Sequence, residues 1–215
     1  MSVNEDRTTT PAPVATSPVA DPAPLGLAAF ALTTFLLSAA NAQWMTHATG
    51  DAWLGYALAY GGLAQLLAGM WEFRNRNVFG ATAFGSYGGF WIGLGLWVLL
   101  VARAGPKSGL AAAVYSAHTT KDLGWILLAF AIFNTYMMLW ALAVNWAVFA
   151  VFLTLEATEI ILFAGFFAGN PDTIRAGGYV GVLTALVAWY TSAAGVFNGM
   201  RGRTVVPVGK PLISD

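Results

Sequence analysis

The chain contains no cysteine and only two histidines, His47 and His118. Disulfides, thiolate metal sites and thiol redox chemistry are therefore excluded. Two imidazoles also fall short of a histidine-rich metal centre within one chain. Charge is scarce: charged residues fill 9% of 215 positions, against about a quarter in a soluble domain. Ten Lys and Arg are matched by ten Asp and Glu, so the basic excess that nucleic acid requires is missing. What is abundant is apolar. Hydrophobic residues make up 58% of the chain and the mean hydropathy is +0.66. Such a chain cannot coat a water-facing surface of its size. The 14 Phe, 9 Trp and 24 Gly suit a bundle of membrane helices, with aromatics at the interfaces and glycine at close helix crossings.

A spanning helix needs roughly 20 mostly apolar residues. Six runs qualify: Leu25–Met45, Trp53–Trp71, Val78–Val101, Leu123–Leu142, Trp146–Ala168 and Tyr179–Phe197. The expectation is an all-α polytopic protein in three parts: a disordered tail over 1–21, a six-helix membrane domain over 22–200, and a short polar tail over 201–215. The first tail is rich in Pro, Thr, Ser and Ala, and has no charged start followed by a short apolar core, so it does not read as a secretory signal. Six spans put both tails on one side. Arg7, Arg74, Arg76, Arg201, Arg203 and Lys210 fall there, against Arg103, Lys107, Lys121 and Arg175 on the other side. Basic residues are retained inside, so both termini are expected in the cytoplasm. The long loop Ala102–Asp122 weighs against this vote.

Small residues recur every fourth position at Ala81, Gly85, Gly89 and Gly93, and again at Gly177, Gly181 and Ala185. Such stripes bring helix backbones together, either within one subunit or between subunits.

Polar groups inside a bilayer are costly and face a cavity or one another. On the first run Phe30, Thr34, Ser38 and Asn41 share one helical face. On the third, Thr82 and Ser86 share a face beside Tyr87; on the second, Gln65 and Glu72 stand seven apart; on the sixth, Thr184, Thr191 and Asn198 do the same. Each hydroxyl has a simpler outlet, a bond back to its own helix. Asn41 and Gln65 carry amides that are harder to satisfy in this way. Together the faces suggest a narrow path of neutral donors and acceptors, suited to a small polar or anionic solute that sheds its water.

The fifth run holds two carboxyls in Leu155-Glu156-Ala157-Thr158-Glu159. A central acidic residue costs on the order of 2.5–3.5 kcal/mol on insertion scales. Glu156 and Glu159 are candidate proton sites, one of them holding its proton at neutral pH. The competing reading is a structural bond to a neighbouring helix or subunit. Other chemistry is absent from the sequence. Phe84-Gly85-Ser86-Tyr87-Gly88 misses the nucleophile-elbow pattern. No phosphate-binding glycine loop occurs, and no cofactor, metal or catalytic residue is expected.

The residues that remain carry a resemblance. Pro22-Ala23-Pro24-Leu25-Gly26-Leu27 is similar to the signature N-P-A-P-L-G-L of the acetate uptake transporter family, with Asp21 in place of its Asn. An acidic residue and an early proline both suit a helix start. Gly61 to Phe73 resembles the family stretch G-G-x-A-Q-x-x-A-G-x-x-E-[FY]. Phe79 to Trp91 resembles F-G-x-T-A-F-x-S-Y-G-x-F-W, and Arg203 to Gly209 resembles the family ending. The resemblance implies six spans per subunit, a homo-hexamer in the plasma membrane, and passage of acetate, in some members succinate, through a path in each subunit. It also implies a hydrophobic constriction at Phe30, Tyr87 and Leu155. Thr34, Ser38, Asn41, Gln65, Thr82 and Ser86 are then the candidate pathway contacts. Glu156 and Glu159 depart from the neutral residues of the family's bacterial pattern. An ionised Glu159, one turn beyond Leu155, would repel acetate: it is protonated, it points away, or the solute differs. Two alternatives stand beside acetate transport: a channel for a neutral solute such as urea, an amide or ammonia, and a membrane sensor that binds a small carboxylate.

Overall fold

The computed structural model describes residues 19–45, 51–102 and 119–213. Most of the N-terminal tail, His47, His118 and most of the loop Ala102–Asp122 lie outside the described residues. The described residues are mainly helix: α1 (Ala23–Asn41), α2 (Ala52–Leu58), a π-helical segment (Ala59–Ala64), α3 (Gln65–Arg74), α4 (Val78–Trp97) continued by a second π segment (Val98–Ala102), α5 (Thr119–Ala141), α6 (Trp146–Ala168) and α7 (Pro171–Arg201). Five of these columns are long and apolar enough to cross a membrane. The sixth, residues 52–74, is unbroken helix interrupted in hydrogen-bond register by the π turn. Six spans result.

Local chemistry sets the ends. The Asp21 carboxylate accepts from the Ala23 amide at 2.9 Å, and Pro24 occupies the first turn of α1. Asn77, Asn145 and Asn170 cap α4, α6 and α7 with their side-chain oxygens. Gly169 and Gly202 close α6 and α7 in the left-handed conformation. The sixth span begins at Pro171, eight residues before the expected Tyr179, because Asn170 and Pro171 start the helix in a polar stretch that hydropathy passes over. The first span stops at Asn41 rather than Met45, where Gln43 turns to a positive φ.

The exterior is apolar like the core, and several polar side chains are buried within it. Thr33, Thr34, Ser38, Gln65, Glu72, Asn134, Glu159 and Thr184 are buried, while Leu63, Leu67, Ile132, Leu139, Leu183 and Leu186 are exposed. Exposed aromatics collect at both ends: Trp44, Trp125 and Tyr179 at one, Trp71, Phe73, Trp140 and Trp146 at the other. Those are the two interface belts of a membrane-spanning bundle.

The spans form a ring. α5 packs on α6, α6 on α7, α7 on α1, α1 on the π segment and α3, and α3 on α4. Contact between α4 and α5 is slight. Glycine permits the tight crossings. A side chain at Gly69 would strike the backbone of Gly85, one at Gly88 would strike Leu66, and one at Gly178 would strike Asn41 and Ala42. The stripe of Gly177, Gly181 and Ala185 is internal, with Gly177 against Leu162 and Gly181 against Ser38 and Thr158. The stripe on α4 divides: Ala81 is buried, whereas Gly89 and Gly93 face open space. They border an outer groove of about 630 Å³ between α4 and α5.

The C-terminal segment is more than a polar tail. The Asn198 side chain holds the backbone of Val205 and Val206, Tyr190 donates to the Pro207 carbonyl, and the Ala147 amide donates to Val208 at 2.9 Å. Gly209, at φ +77°, lies against the Trp146 ring, and the Leu212 amide reaches the Leu142 carbonyl at 2.8 Å. The segment thus straps α7, α6 and α5 together at the end where α1 begins.

Candidate functional site

α1, α4, α5 and α6 enclose a cavity of about 40 Å³ in the middle of the bundle. α1 contributes Phe30, Thr34, Ser38 and Asn41; α4 contributes Tyr87, Phe90 and Trp91; α5 contributes Leu127; α6 contributes Leu155, Thr158, Glu159 and Leu162. A second cavity of about 50 Å³ shares Leu37, Asn41, Leu127 and Leu162 with it and continues to Trp53, Val98, Leu123 and Phe166. The two cavities lead from mid-bundle toward the end that carries Trp44 and Trp125. At the other end of the first cavity stand Phe30, Tyr87 and Leu155. Phe30 meets Tyr87 edge-on with ring centroids 5.8 Å apart. Phe90, Phe130, Phe133 and Phe152 complete a collar of rings around Tyr87.

The simple outlet for hydroxyls accounts for many of them. Thr33, Thr154, Thr158 and Thr191 donate to the carbonyl four residues earlier, and Thr135 and Thr184 each share their single proton between that carbonyl and a second acceptor, Glu156 Oε1 and Thr158 Oγ1. Thr34 does not: its Oγ1 is buried without a partner beside the cavity. Trp91 Nε1 and Glu159 Oε2 share that condition.

The two glutamates divide. Glu156 is half-buried and turned to α5: its Oε2 accepts from Asn134 Nδ2 at 2.7 Å, and its Oε1 from the Thr135 hydroxyl at 2.7 Å. Glu159, 3% exposed, lines the cavity and faces the Tyr87 hydroxyl. Asn134, fully buried, is the hub that sequence reading passed over. Its Oδ1 accepts from Tyr87 at 2.9 Å, and its Nδ2 donates both to the Phe152 carbonyl at 3.0 Å and to Glu156. The available signal was a lone amide in the middle of the fourth apolar run.

Three expected pathway residues do not join the cavity lining. Gln65 is buried at the start of α3, behind α1 and α4. Thr82 is half-buried on α4 and lies outside the lining, and Ser86 borders the outer groove. The one-residue offset explains this: Tyr87 points inward, so Ser86, about 100° around the helix, points away. On α7, Thr184 bonds Thr158 at 3.0 Å and Asn198 holds the tail, so neither reaches the lumen.

A profile of the GPR1/FUN34/yaaH family matches residues 5–210. The chain belongs to this family. Its relatives in the GPR1/FUN34/yaaH family include acetate permease A of Emericella nidulans, 41% identical over 88% of this chain and 65% of that protein. The succinate-acetate/proton symporter SatP of Escherichia coli is 36% identical over 89% of this chain and 96% of its own length. The solved structure of the bacterial acetate channel SatP superposes with a TM-score of 0.80 at 35% identity, covering 89% of this chain and 99% of that one. The chain spans just under two thirds of the length of acetate permease A and of its two similar relatives in Saccharomyces cerevisiae. It is a multi-pass membrane protein of a family whose members include proteins named as a permease, a proton symporter and a channel.

Proposed function

We propose that this protein moves acetate, and with it other short carboxylates such as succinate, across the plasma membrane through the lumen of each subunit. One observation carries the reading: the three neck residues and the polar atoms beyond them converge on a single cavity enclosed by four helices. The rings strip water from the solute, and the hydroxyl, amide and indole groups on one side of them replace part of its hydration. The named activities of the relatives support the same reading. Arg74, Arg76, Arg201, Arg203 and Lys210 gather at the end with both tails, which supports cytoplasmic termini. Gly89 and Gly93, open to the outside, support a contact with further copies in a hexamer. Because the chain has no cysteine, single cysteines at those positions will cross-link in membranes if that contact forms.

Uptake of labelled acetate into proteoliposomes, with and without a pH gradient, tests the proposal. Acetate enters and excess unlabelled acetate blocks it. Stimulation by an inward proton gradient marks coupled transport, and its absence marks a channel. Saturable binding with no flux makes the protein a sensor, and uptake of acetamide that acetate leaves untouched makes it a neutral-solute channel.

A further inference from the structure

Three parallel spans repeat one step. Phe30 is followed four residues later by Thr34 on α1, Tyr87 by Trp91 on α4, and Leu155 by Glu159 on α6. Four residues are about 6 Å of helix rise on nearly one face. All six side chains line the same cavity. In each upper residue a buried polar atom lacks a partner: Thr34 Oγ1, Trp91 Nε1 and Glu159 Oε2. Buried polar groups in folded proteins are nearly always paired. Three orphans on one level, around one cavity, have a common partner that comes and goes.

We infer that Thr34, Trp91 and Glu159 form a carboxyl-binding ring one turn beyond the neck, which holds the head of a short aliphatic acid with its alkyl end against Phe30 and Leu155. The inference deepens the transport reading and rests on it. An indole N–H only donates, so the ring selects a solute that offers acceptors and rejects a cation. The Thr34 hydroxyl supplies a second donor. The cavity, about 40 Å³, has room for about three water-sized groups, which suits a carboxyl head. Glu159 complements a carboxyl group when the two share one proton: Glu159 O–H donates to the carboxylate, or the bound acid donates to Glu159 Oε2. Either way the pair carries one proton and one negative charge. The titratable groups facing Glu159 are Tyr87 from α4 and Glu156 on its own helix. From α1, α5 and α7 the polar groups at this depth are Thr34, Ser38, Asn134 and Thr184, which do not titrate.

The test is equilibrium binding of labelled acetate to the purified full chain in detergent. Trp91→Phe keeps the ring system and removes the N–H; Thr34→Val removes the hydroxyl at constant shape. Each should weaken acetate binding about tenfold, the effect of losing a hydrogen bond to a charged group. Trp140→Phe, on the exposed aromatic belt, should bind as the parent does. Parental binding should weaken as pH rises and the shared proton is lost; Glu159→Gln, whose amide donates at every pH, should flatten that dependence. Parent-like affinity in both Trp91→Phe and Thr34→Val overturns the ring, as does an equal loss in Trp140→Phe. If one ring variant fails to fold, the other carries the test. Ring-dependent binding without flux supports the ring and sinks the transport reading; flux with ring-independent binding does the reverse.

Discussion

Asn134→Leu separates what the collar of rings does from what the polar hub does. The substitution keeps the branch at Cγ and removes three hydrogen bonds: to Tyr87, to the Phe152 carbonyl and to Glu156. Interhelical hydrogen bonds in membrane proteins average about 0.6 kcal/mol each, so the three together contribute about 2 kcal/mol. For a chain of this size that lowers the melting temperature by roughly 4–8 °C. The effect on the neck is smaller and more specific. Tyr87 loses one of these three bonds, about 0.6 kcal/mol at the membrane average and about 1 kcal/mol at the general hydrogen-bond value. It keeps ring contacts to Phe30, Phe90, Phe130, Phe133 and Phe152, at centroid distances of 5.4 to 6.5 Å. Such contacts contribute about 0.5–1.5 kcal/mol each, so the five together outweigh the lost bond.

The ring therefore stays in place most of the time, and the population of displaced conformers rises no more than about fivefold, the factor that corresponds to the ~1 kcal/mol bond. The assay is the ratio of lactate to acetate uptake in proteoliposomes. It should rise by up to fivefold in Asn134→Leu and by a similar factor in Tyr87→Phe, with no further rise when the two are combined. Equal loss of both uptakes, leaving the ratio fixed, would show that Asn134 only stabilises the bundle and does not position the neck.

The remaining predictions use other parts of the bundle. Leu155→Ala and Phe30→Ala each remove a wall of the neck; lactate or succinate uptake should rise in at least one of them, and a rise in neither removes the neck assignment. Gly178→Val drives a side chain into the backbone of Asn41 and Ala42, whereas Gly55→Ala meets open space. The first should abolish the folded peak in size-exclusion chromatography, and the second should leave the melting temperature of detergent-solubilised protein unchanged. Truncation after Gly202 removes the strap bonds from Ala147 to Val208 and from Leu212 to Leu142, together with those of Asn198 and Tyr190. At about 0.5 kcal/mol per bond, the low end for partly exposed bonds, the six contribute about 3 kcal/mol and the melting temperature should fall by roughly 6–12 °C; no fall would show that the strap only rests on the surface.

What the sequence revealed follows from how each feature is encoded. Span number is written in local composition, and Trp146–Ala168 needed no knowledge of its neighbours. Helix ends set by a cap lie outside hydropathy, so Asn170 and Pro171 hid the first turns of α7. The lumen-facing stripe of α1 was readable because Phe30, Thr34, Ser38 and Asn41 repeat at helical spacing on one span. Thr82 and Ser86 repeat as well, but a period fixes which residues share a face and not which way that face points. Only contacts between spans decide that, and on α4 the inward face belongs to Tyr87 and Trp91. The same limit hid Asn134, whose partners come from α4 and α6 and leave no spacing signal on α5. The glutamates show the limit from the other side. Glu156 and Glu159 stand three residues apart on one helix, near enough in sequence to look like one site. The ~60° between them turns one to the donors of α5 and the other to the lumen. A bilayer interior tolerates each by a different route: a pair of hydrogen bonds for Glu156, and for Glu159 a cavity in which a solute can complete the missing bond.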